Sequence, residues 1–199
     1  MNKKQQKYDF TIENLGPCKI KSPIVLSKKG GDMLANYVSD NQYILYNIDA
    51  ELGVPIVAEN KSEILEIGGP REYIYFDPSK VHAAIVTCGG LCPGLNNVIR
   101  SIVLTLWHRY GVHRISGIRH GYRGLLPDMK LEPMKLSPDV VAEVHAQGGT
   151  FLGSSRGGGE RVSEIVDSLE QMNVNVLFTI GGDGTQKGAD NIAKEALSR

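Results

Sequence analysis

The sequence has little cysteine, no net charge and no long apolar run. Its three cysteines are an odd number in a 199-residue chain without a secretion signal, which excludes a disulfide framework as its source of stability. Lysine plus arginine and aspartate plus glutamate number 22 each, and this balance argues against a nucleic-acid or membrane-surface partner. No apolar run approaches membrane-spanning length, so a cytoplasmic protein is predicted. A peroxisome-type targeting signal, at a C-terminus beyond these residues, stays an alternative.

Metal-ligand and triad patterns are also missing. Cys88 and Cys92 stand four apart, but no second pair of cysteines or histidines has ligand spacing. We therefore expect two packed loop residues rather than a metal pair. None of the five histidines stands with a nucleophile and an acid in a triad pattern. They are His82, His108, His113, His120 and His145.

Glycine, in contrast, is abundant at 23 residues. Residues 1–80 carry turn signals and a predicted strand at 43–48 without sustained helical periodicity. We interpret them as an irregular N-terminal extension of short strands and loops whose chemistry is not legible. Residues 81–199 are predicted to form a separate α/β domain.

From residue 81 onward, strand and helix patterns alternate. Apolar runs predict strands at 81–87, 112–118 and 176–180, and apolar residues at helical spacing predict helices at 95–110 and 162–172. Ser137 followed by Pro138 predicts the start of a further short helix through about residue 147. This alternation implies βαβ crossovers and a Rossmann-like parallel sheet with flanking helices. Ligands of such sheets bind at the carboxyl ends of the strands.

One stretch, VNVLFTIGGDGTQK at 174–187, carries the chemistry most clearly. Its near-continuous apolar run predicts a strand covered on both faces, followed by a glycine loop and the start of a helix. A helix N-terminus favours an anion. Asp183, the one acid in the loop, is therefore predicted to hold Mg²⁺ on a nucleotide. An ordinary glycine turn is the alternative.

Four glycine loops, at 88–94, 120–124, 148–159 and 181–185, are expected to converge at one sheet edge. They bring Tyr122, an aromatic residue able to lie against a base or sugar, and Arg156, whose setting between Ser155 and three glycines indicates a phosphate contact. Hydroxyl groups would come from Ser154, Ser155 and Thr185. Lys187 is interpreted as a solvated residue of the helix's first turn. The set suits a polyphosphate with magnesium and phosphoryl transfer.

Four motifs in this order resemble 6-phosphofructokinase: CGGLCPGLNNVIR (88–100), GYRGL (121–125), GGTFLGSSRGG (148–158) and IGGDGTQKGA (180–189). The closer similarity is to the ATP-dependent branch of plants and kinetoplastid parasites, whose N-terminal extension ends in a segment like PREYIYFDP. The resemblance covers roughly residues 68–199. Leu104 stands where the bacterial enzymes have an effector-site arginine, which puts their mode of allosteric control in doubt here. Lipid and NAD kinases also use GGDG loops, but they are not expected to carry the upstream motifs.

The resemblance implies which residues meet the donor. Asp183 matches the magnesium ligand, and Arg156 matches the arginine that steadies the transferring phosphoryl group. Glycine at position 184 matches the ATP-dependent enzymes. The pyrophosphate-dependent relatives have an aspartate at this position, and its carboxylate would repel the α-phosphate of ATP. The matched ATP contacts are Gly89, Tyr122, Arg156, Gly157, Gly182, Asp183, Gly184, Thr185 and Gly188.

The implied reaction transfers the γ-phosphoryl of Mg²⁺·ATP to the 1-hydroxyl of fructose 6-phosphate in glycolysis, by a homo-oligomer, a tetramer in this family. The family's catalytic aspartate lies in a TIDND-like segment, and no such segment occurs in these 199 residues. The sequence is therefore expected to be an N-terminal part of a longer enzyme, inactive alone. Two alternatives stay open: a pyrophosphate-dependent enzyme, and a non-catalytic nucleotide-binding regulatory subunit.

Overall fold

The computed structural model describes residues 10–29, 35–46 and 63–199. By its internal contacts the chain divides into two compact units, Met1–Phe76 and Asp77–Arg199. The sequence places the start of the α/β domain at residue 81, a few residues after this division.

Short antiparallel strand pairs form the described part of the first unit. The strands are β1 (Ile20–Lys21), β2 (Tyr43–Leu45), β3 (Ile64–Glu66) and β4 (Tyr73–Ile74). β1 pairs with β4, and β2 pairs with β3. The described residues of this unit thus form short strands, and the extension over residues 1–80 stays a prediction. The predicted strand at 43–48 ends at Leu45, and its residues 47 and 48 lie outside the described part of the chain.

The second unit contains the alternating elements. They are, in chain order, β5 (His82–Thr87), α1 (Leu95–Thr105), a π-helical turn (Leu106–Tyr110), β6 (Arg114–Ile118), 3-10 turns (Gly121–Leu125 and Pro127–Met129), β7 (Met134–Lys135), a 3-10 turn (Val144–Ala146), α2 (Val162–Gln171), β8 (Val176–Ile180) and α3 (Asp183–Ser198).

A four-stranded sheet with the order β7-β6-β5-β8 organises this unit. β5 pairs in parallel with β6 and β8, which confirms the α/β fold with flanking helices. The sheet is nevertheless mixed, since β7 runs antiparallel to β6. Only short 3-10 turns lie between β6 and β7. A parallel return usually passes through a crossover helix, and no such helix forms here, so the chain reverses direction instead.

Burial differs sharply between the neighbouring parallel strands β5 and β8. In β5, residues 83–86 have no exposed surface, because the strand is central and covered on both faces. All five residues of β8 are half-buried, since β8 is the edge strand of the described sheet. The expectation that 176–180 is fully covered was therefore wrong in these residues.

The short helix predicted from Ser137 does not form. Ser137 starts a single turn, in which its carbonyl accepts the N–H of the residue four positions later. The segment then continues only as the 3-10 turn Val144–Ala146. The Nε of Arg100, on α1, donates to the carbonyl of Ala142 at 3.3 Å. Tertiary contacts of this segment with α1 thus accompany an irregular backbone, and the local capping signal does not decide its structure.

Candidate functional site

A cavity of about 460 Å³ opens where β5 and β8 end and α3 begins. Its volume is in the range of small-molecule sites. The structure brings all nine predicted contact residues to its lining, from all four glycine loops. They are Gly89, Tyr122, Arg156, Gly157, Gly182, Asp183, Gly184, Thr185 and Gly188. In particular, Asp183 and Arg156 share this cavity rather than lying on opposite sides of the unit.

The N-terminus of α3 forms one wall of the cavity. The helix begins at Asp183 with Gly182 as its N-cap, and no side chain caps it. The backbone N–H groups of Thr185 and Gln186 both donate to the carbonyl of Gly182. The earlier N–H groups of a helix have no intrahelical acceptor, and the helix dipole adds partial positive charge there. The wall is suited to an anion such as a phosphate.

The glycines of the GGDG loop have different roles in packing. A Cβ at Gly181 would lie 2.2 Å from Oγ1 of Thr185 and 2.7 Å from the carbonyl oxygen of Cys88, so a side chain cannot fit. At Gly182 and Gly184 a Cβ would meet nothing within 4 Å. Gly181 therefore lets the loop pack, whereas Gly182 and Gly184 leave open space beside the helix N-terminus.

Arg156 lies in the loop between β7 and α2. It is exposed, and no described residue forms a hydrogen bond or ion pair with its guanidinium. The two glycines after it have φ of +78° and +91°, left-handed values that disfavour side chains. The sequence thus leaves a charged group at the cavity rim beside a backbone turn that requires glycine.

The two serine hydroxyls predicted to face a ligand bind backbone carbonyls of other loops instead. Ser154 donates to the carbonyl of Gly89 at 2.6 Å, and Ser155 donates to the carbonyl of His120 at 2.5 Å. The side chain of Thr185 is packed against the glycine loop, with Thr185 only 5% exposed. The two serine hydroxyls connect the glycine loops to one another. Hydrogen bonds between loops far apart in sequence cannot be read from a local motif.

Tyr122 is a wall of the cavity rather than a free aromatic platform. It is 3% exposed, and its hydroxyl donates to the carbonyl of Thr185 at 2.7 Å. A Cβ at Gly188 would lie 2.7 Å from the ring, and one at Gly159 would lie 3.0 Å from it. The ring is held between two glycines and cannot rotate onto a base without disrupting both.

The structure adds residues that the motifs did not single out. Glu160 brings a second carboxylate to the cavity, and Lys187 and Asn191 line it from α3. Lys187 is exposed, as expected, yet it is also part of the lining. With Asp183, these two helix residues stand at i, i+4 and i+8, a spacing that places them on one face. This spacing is the sequence signal that could have placed Lys187 and Asn191 beside Asp183.

Cys88 lies directly below the glycine loop. Its side chain is 7% exposed, and burial raises the pKa of its thiol to about 11. Cys18 and Cys92 are exposed free thiols.

Within residues 10–29, 35–46 and 63–199, no three histidine, cysteine or acidic side chains cluster as a metal site. In the same residues, no helix is both long and apolar enough to cross a membrane.

Comparison with known proteins gives a consistent family. The family model Phosphofructokinase matches residues 82–198. The ATP-dependent 6-phosphofructokinase of Borreliella burgdorferi is 47% identical over 203 residues, which cover 98% of this chain and 43% of that protein. The Trypanosoma cruzi ATP-dependent 6-phosphofructokinase is 51% identical over 136 residues, covering 68% of this chain and 28% of the relative. The spirochaete match thus extends through the N-terminal residues that the motif resemblance left out.

Solved structures agree on the fold. Phosphofructokinase from Pichia pastoris in the T-state superposes with a TM-score of 0.52 at 26% identity, covering 72% of this chain and 14% of that one. Phosphofructokinase from Saccharomyces cerevisiae gives 0.51 at 30% identity, covering 59% and 16%. The chain spans less than half the length of the curated relatives that it matches. On its sequence and its fold, the chain belongs to the phosphofructokinase family.

Proposed function

We propose that these residues form the nucleotide-binding part of an ATP-dependent 6-phosphofructokinase. The enzyme transfers the γ-phosphoryl group of ATP to the 1-hydroxyl of fructose 6-phosphate, giving fructose 1,6-bisphosphate and ADP in glycolysis. One observation carries the proposal: Asp183 and Arg156, whose guanidinium pairs with no described residue, line one cavity beside the uncapped N-terminus of α3. Opposite charges and free backbone donors around one space are what a metal-bound triphosphate requires.

The backbone and Arg156 bind the phosphates. N–H groups at the start of α3 donate to phosphate oxygens, and open space at Gly182 and Gly184 lets those oxygens approach the backbone. The Arg156 guanidinium lies against the transferring phosphoryl group, where it stabilises the charge that develops on the equatorial oxygens. Positioning and charge stabilisation are most of what phosphoryl transfer demands from a protein.

Asp183 fits a magnesium ion. It is an exposed carboxylate in the first turn of α3, and it lines the same cavity as the phosphate donors. Magnesium favours one or two carboxylates together with phosphate oxygens and water. When bound, the ion would neutralise phosphate charge. Asp183 would hold it, and Glu160 is the second carboxylate of the lining.

The sugar half of the reaction needs residues that this sequence does not contain. No TIDND-like segment, which carries the family's proton acceptor, occurs among the 199 residues. We therefore assign nucleotide binding to these residues and expect the purified 199-residue chain to show no transfer to fructose 6-phosphate.

Gly184 favours ATP over pyrophosphate. A side chain at this position meets no protein atom within 4 Å, so it would extend into the open space of the cavity. An aspartate there would place negative charge where the α-phosphate of ATP must lie, with a repulsion that grows as water is excluded. Pyrophosphate has no α-phosphate beyond its two groups and would tolerate the change.

Calorimetric titration of the 199-residue chain with Mg²⁺·ATP and with Mg²⁺·pyrophosphate tests the proposal. We expect ATP to bind, and Gly184→Asp to weaken ATP at least about tenfold, or about 1.4 kcal/mol, while pyrophosphate binding is retained. Binding of pyrophosphate alone by the unaltered chain would favour the pyrophosphate-dependent alternative. If neither donor binds, the assignment fails. A full-length enzyme carrying these residues but inactive with either donor would indicate a regulatory subunit.

The cellular setting follows from the same assignment. We place the enzyme in the cytoplasm, or in a peroxisome-type organelle, as a homo-oligomer that the family resemblance makes a tetramer. Cell fractionation and light scattering of the full-length protein check these two statements.

A further inference from the structure

Asn96, in the first turn of α1, is a buried amide whose two ends both bind backbone. It is 4% exposed. Its Oδ1 accepts the N–H of Phe151 at 2.6 Å, and its Nδ2 donates to the carbonyl of Gln147 at 3.0 Å. An amide that satisfies one donor and one acceptor four residues apart fixes both the position and the direction of that segment. Aspartate would keep only the acceptor, and alanine or leucine would keep neither.

The segment held by Asn96 leads directly to Arg156. Between them, Thr87 at the end of β5 donates its hydroxyl hydrogen to the carbonyl of Gly153 at 2.8 Å. Further along, the carbonyl of Ser155 accepts the N–H of Gly89 at 3.0 Å. The segment 147–155 is thus fastened at its beginning to α1, in its middle to the end of β5, and at its end to Gly89. His120, after β6, also holds it, since its N–H donates to the carbonyl of Leu152 at 3.0 Å and its carbonyl accepts the hydroxyl of Ser155.

The side chain of Arg156 is not held by a hydrogen bond or ion pair to any described residue. No described residue bonds its guanidinium, so the backbone that precedes it sets where the side chain begins. Asn96 does not line the cavity itself. Any effect of Asn96 on a nucleotide must therefore pass through the segment it holds.

We propose that Asn96 is a positioning residue for Arg156, acting through the 147–155 segment to place the guanidinium against the terminal phosphates of the nucleotide. This inference rests on the proposed function, because the phosphates are the object that Arg156 meets. Without Asn96, the half-buried N–H of Phe151 and the carbonyl of the exposed Gln147 lose their protein partner. The segment then shifts or opens toward water to satisfy them. A displacement of about 1 Å in a positioning element is enough to cost a large factor in function.

A double-mutant cycle in the 199-residue chain tests it, with Mg²⁺·ATP and AMP as probes in calorimetric titration. We expect Asn96→Ala and Arg156→Ala each to weaken ATP about tenfold, with AMP affinity nearly unchanged. The double variant should be no weaker than Arg156→Ala alone, because both changes remove one interaction. Asn97→Ala, the exposed neighbour on α1, is the matched control and should bind both probes normally. Additive losses, or equal losses for ATP and AMP, would overturn the proposal.

A ligand-free measurement separates this inference from the proposed function. Backbone hydrogen exchange in Asn96→Ala should rise at least about tenfold across 147–156 relative to β5 and β6, because the segment loses its buried anchor. Asn96→Asp, which keeps the bond to Phe151, should show a smaller rise and serves if the alanine variant does not fold. If the unaltered chain binds no nucleotide, the proposed function fails, whereas unchanged exchange across 152–156 rejects the positioning role by itself.

Discussion

The hydroxyl of Tyr122 donates a 2.7 Å hydrogen bond to the backbone carbonyl of Thr185, 63 residues further along the chain. This buried bond joins the glycine loop after β6 to the first turn of α3. The cavity therefore depends on a contact between two motifs that the sequence shows only as separate.

Removing the hydroxyl tests this contact. Tyr122→Phe should lower the free energy of unfolding by about 1 kcal/mol, the usual net value of an intramolecular hydrogen bond. Urea unfolding followed by circular dichroism measures it. Tyr43→Phe, at an exposed tyrosine, is the control and should leave the midpoint unchanged. An unchanged midpoint for Tyr122→Phe would mean that water replaces the bond without cost.

Two glycines of α3 should respond to alanine with opposite signs. At Gly188 a Cβ would lie 2.7 Å from the Tyr122 ring, so Gly188→Ala should destabilise the protein by about 1–3 kcal/mol through overpacking. At Gly184 a Cβ meets no atom within 4 Å, so Gly184→Ala should stabilise it by up to about 1 kcal/mol through helix propensity. Thermal unfolding of the two variants decides the matter. Shifts of the same sign would contradict the packing described here.

Asp183 should affect both nucleotide binding and the helix. Asp183→Asn should abolish the dependence of ATP affinity on magnesium, because a neutral amide is a poor ligand for a hard cation. It should also cost about 0.3–1 kcal/mol of stability by removing negative charge from the N-terminus of α3. Asp190→Asn, on the same helix and paired with Lys194 at 2.7 Å, is the control. Magnesium-dependent binding that survives in Asp183→Asn would remove the metal role.

Stability should fall between pH 9 and 11 because of Cys88. Burial raises the pKa of this thiol to about 11 from its ordinary value of 9.0, so the unfolded chain loses the proton first. The native state then binds more protons than the unfolded state, and stability decreases as pH rises, by up to roughly 2 kcal/mol. Burial also raises the pKa of Tyr122 from its ordinary value of 10.0, which adds a loss of the same sign from about pH 10 upward.

Urea midpoints measured across pH 8–11 check this slope. Cys88→Ala should flatten the profile between pH 9 and 10 relative to the unaltered chain, and the fall that remains above pH 10 comes from Tyr122. Cys92→Ala, at an exposed thiol, should leave the slope as it was. Identical slopes in all three proteins would show that Cys88 titrates in the native state as it does in the unfolded one.

Much of the α/β unit follows from local pattern. β5, α1, α2 and β8 lie within a few residues of their predicted bounds, because hydrophobic periodicity and flanking glycines determine such elements locally. The antiparallel direction of β7 and the missing helix after Ser137 were not predicted. Both depend on what lies beside the segment, and neighbouring elements can override a local signal.

The sequence by itself determined that glycine loops follow strands or precede helices, and that Asp183 and Arg156 stand in two of them. Strand periodicity and the steric freedom of glycine are local properties, and the ends of parallel strands share one edge. Only the tertiary structure decided the rest: that Ser154 and Ser155 connect loops, and that Tyr122 is a wall of the cavity. A hydroxyl takes whichever acceptor the fold brings near, and here those acceptors lie 35–65 residues away in sequence.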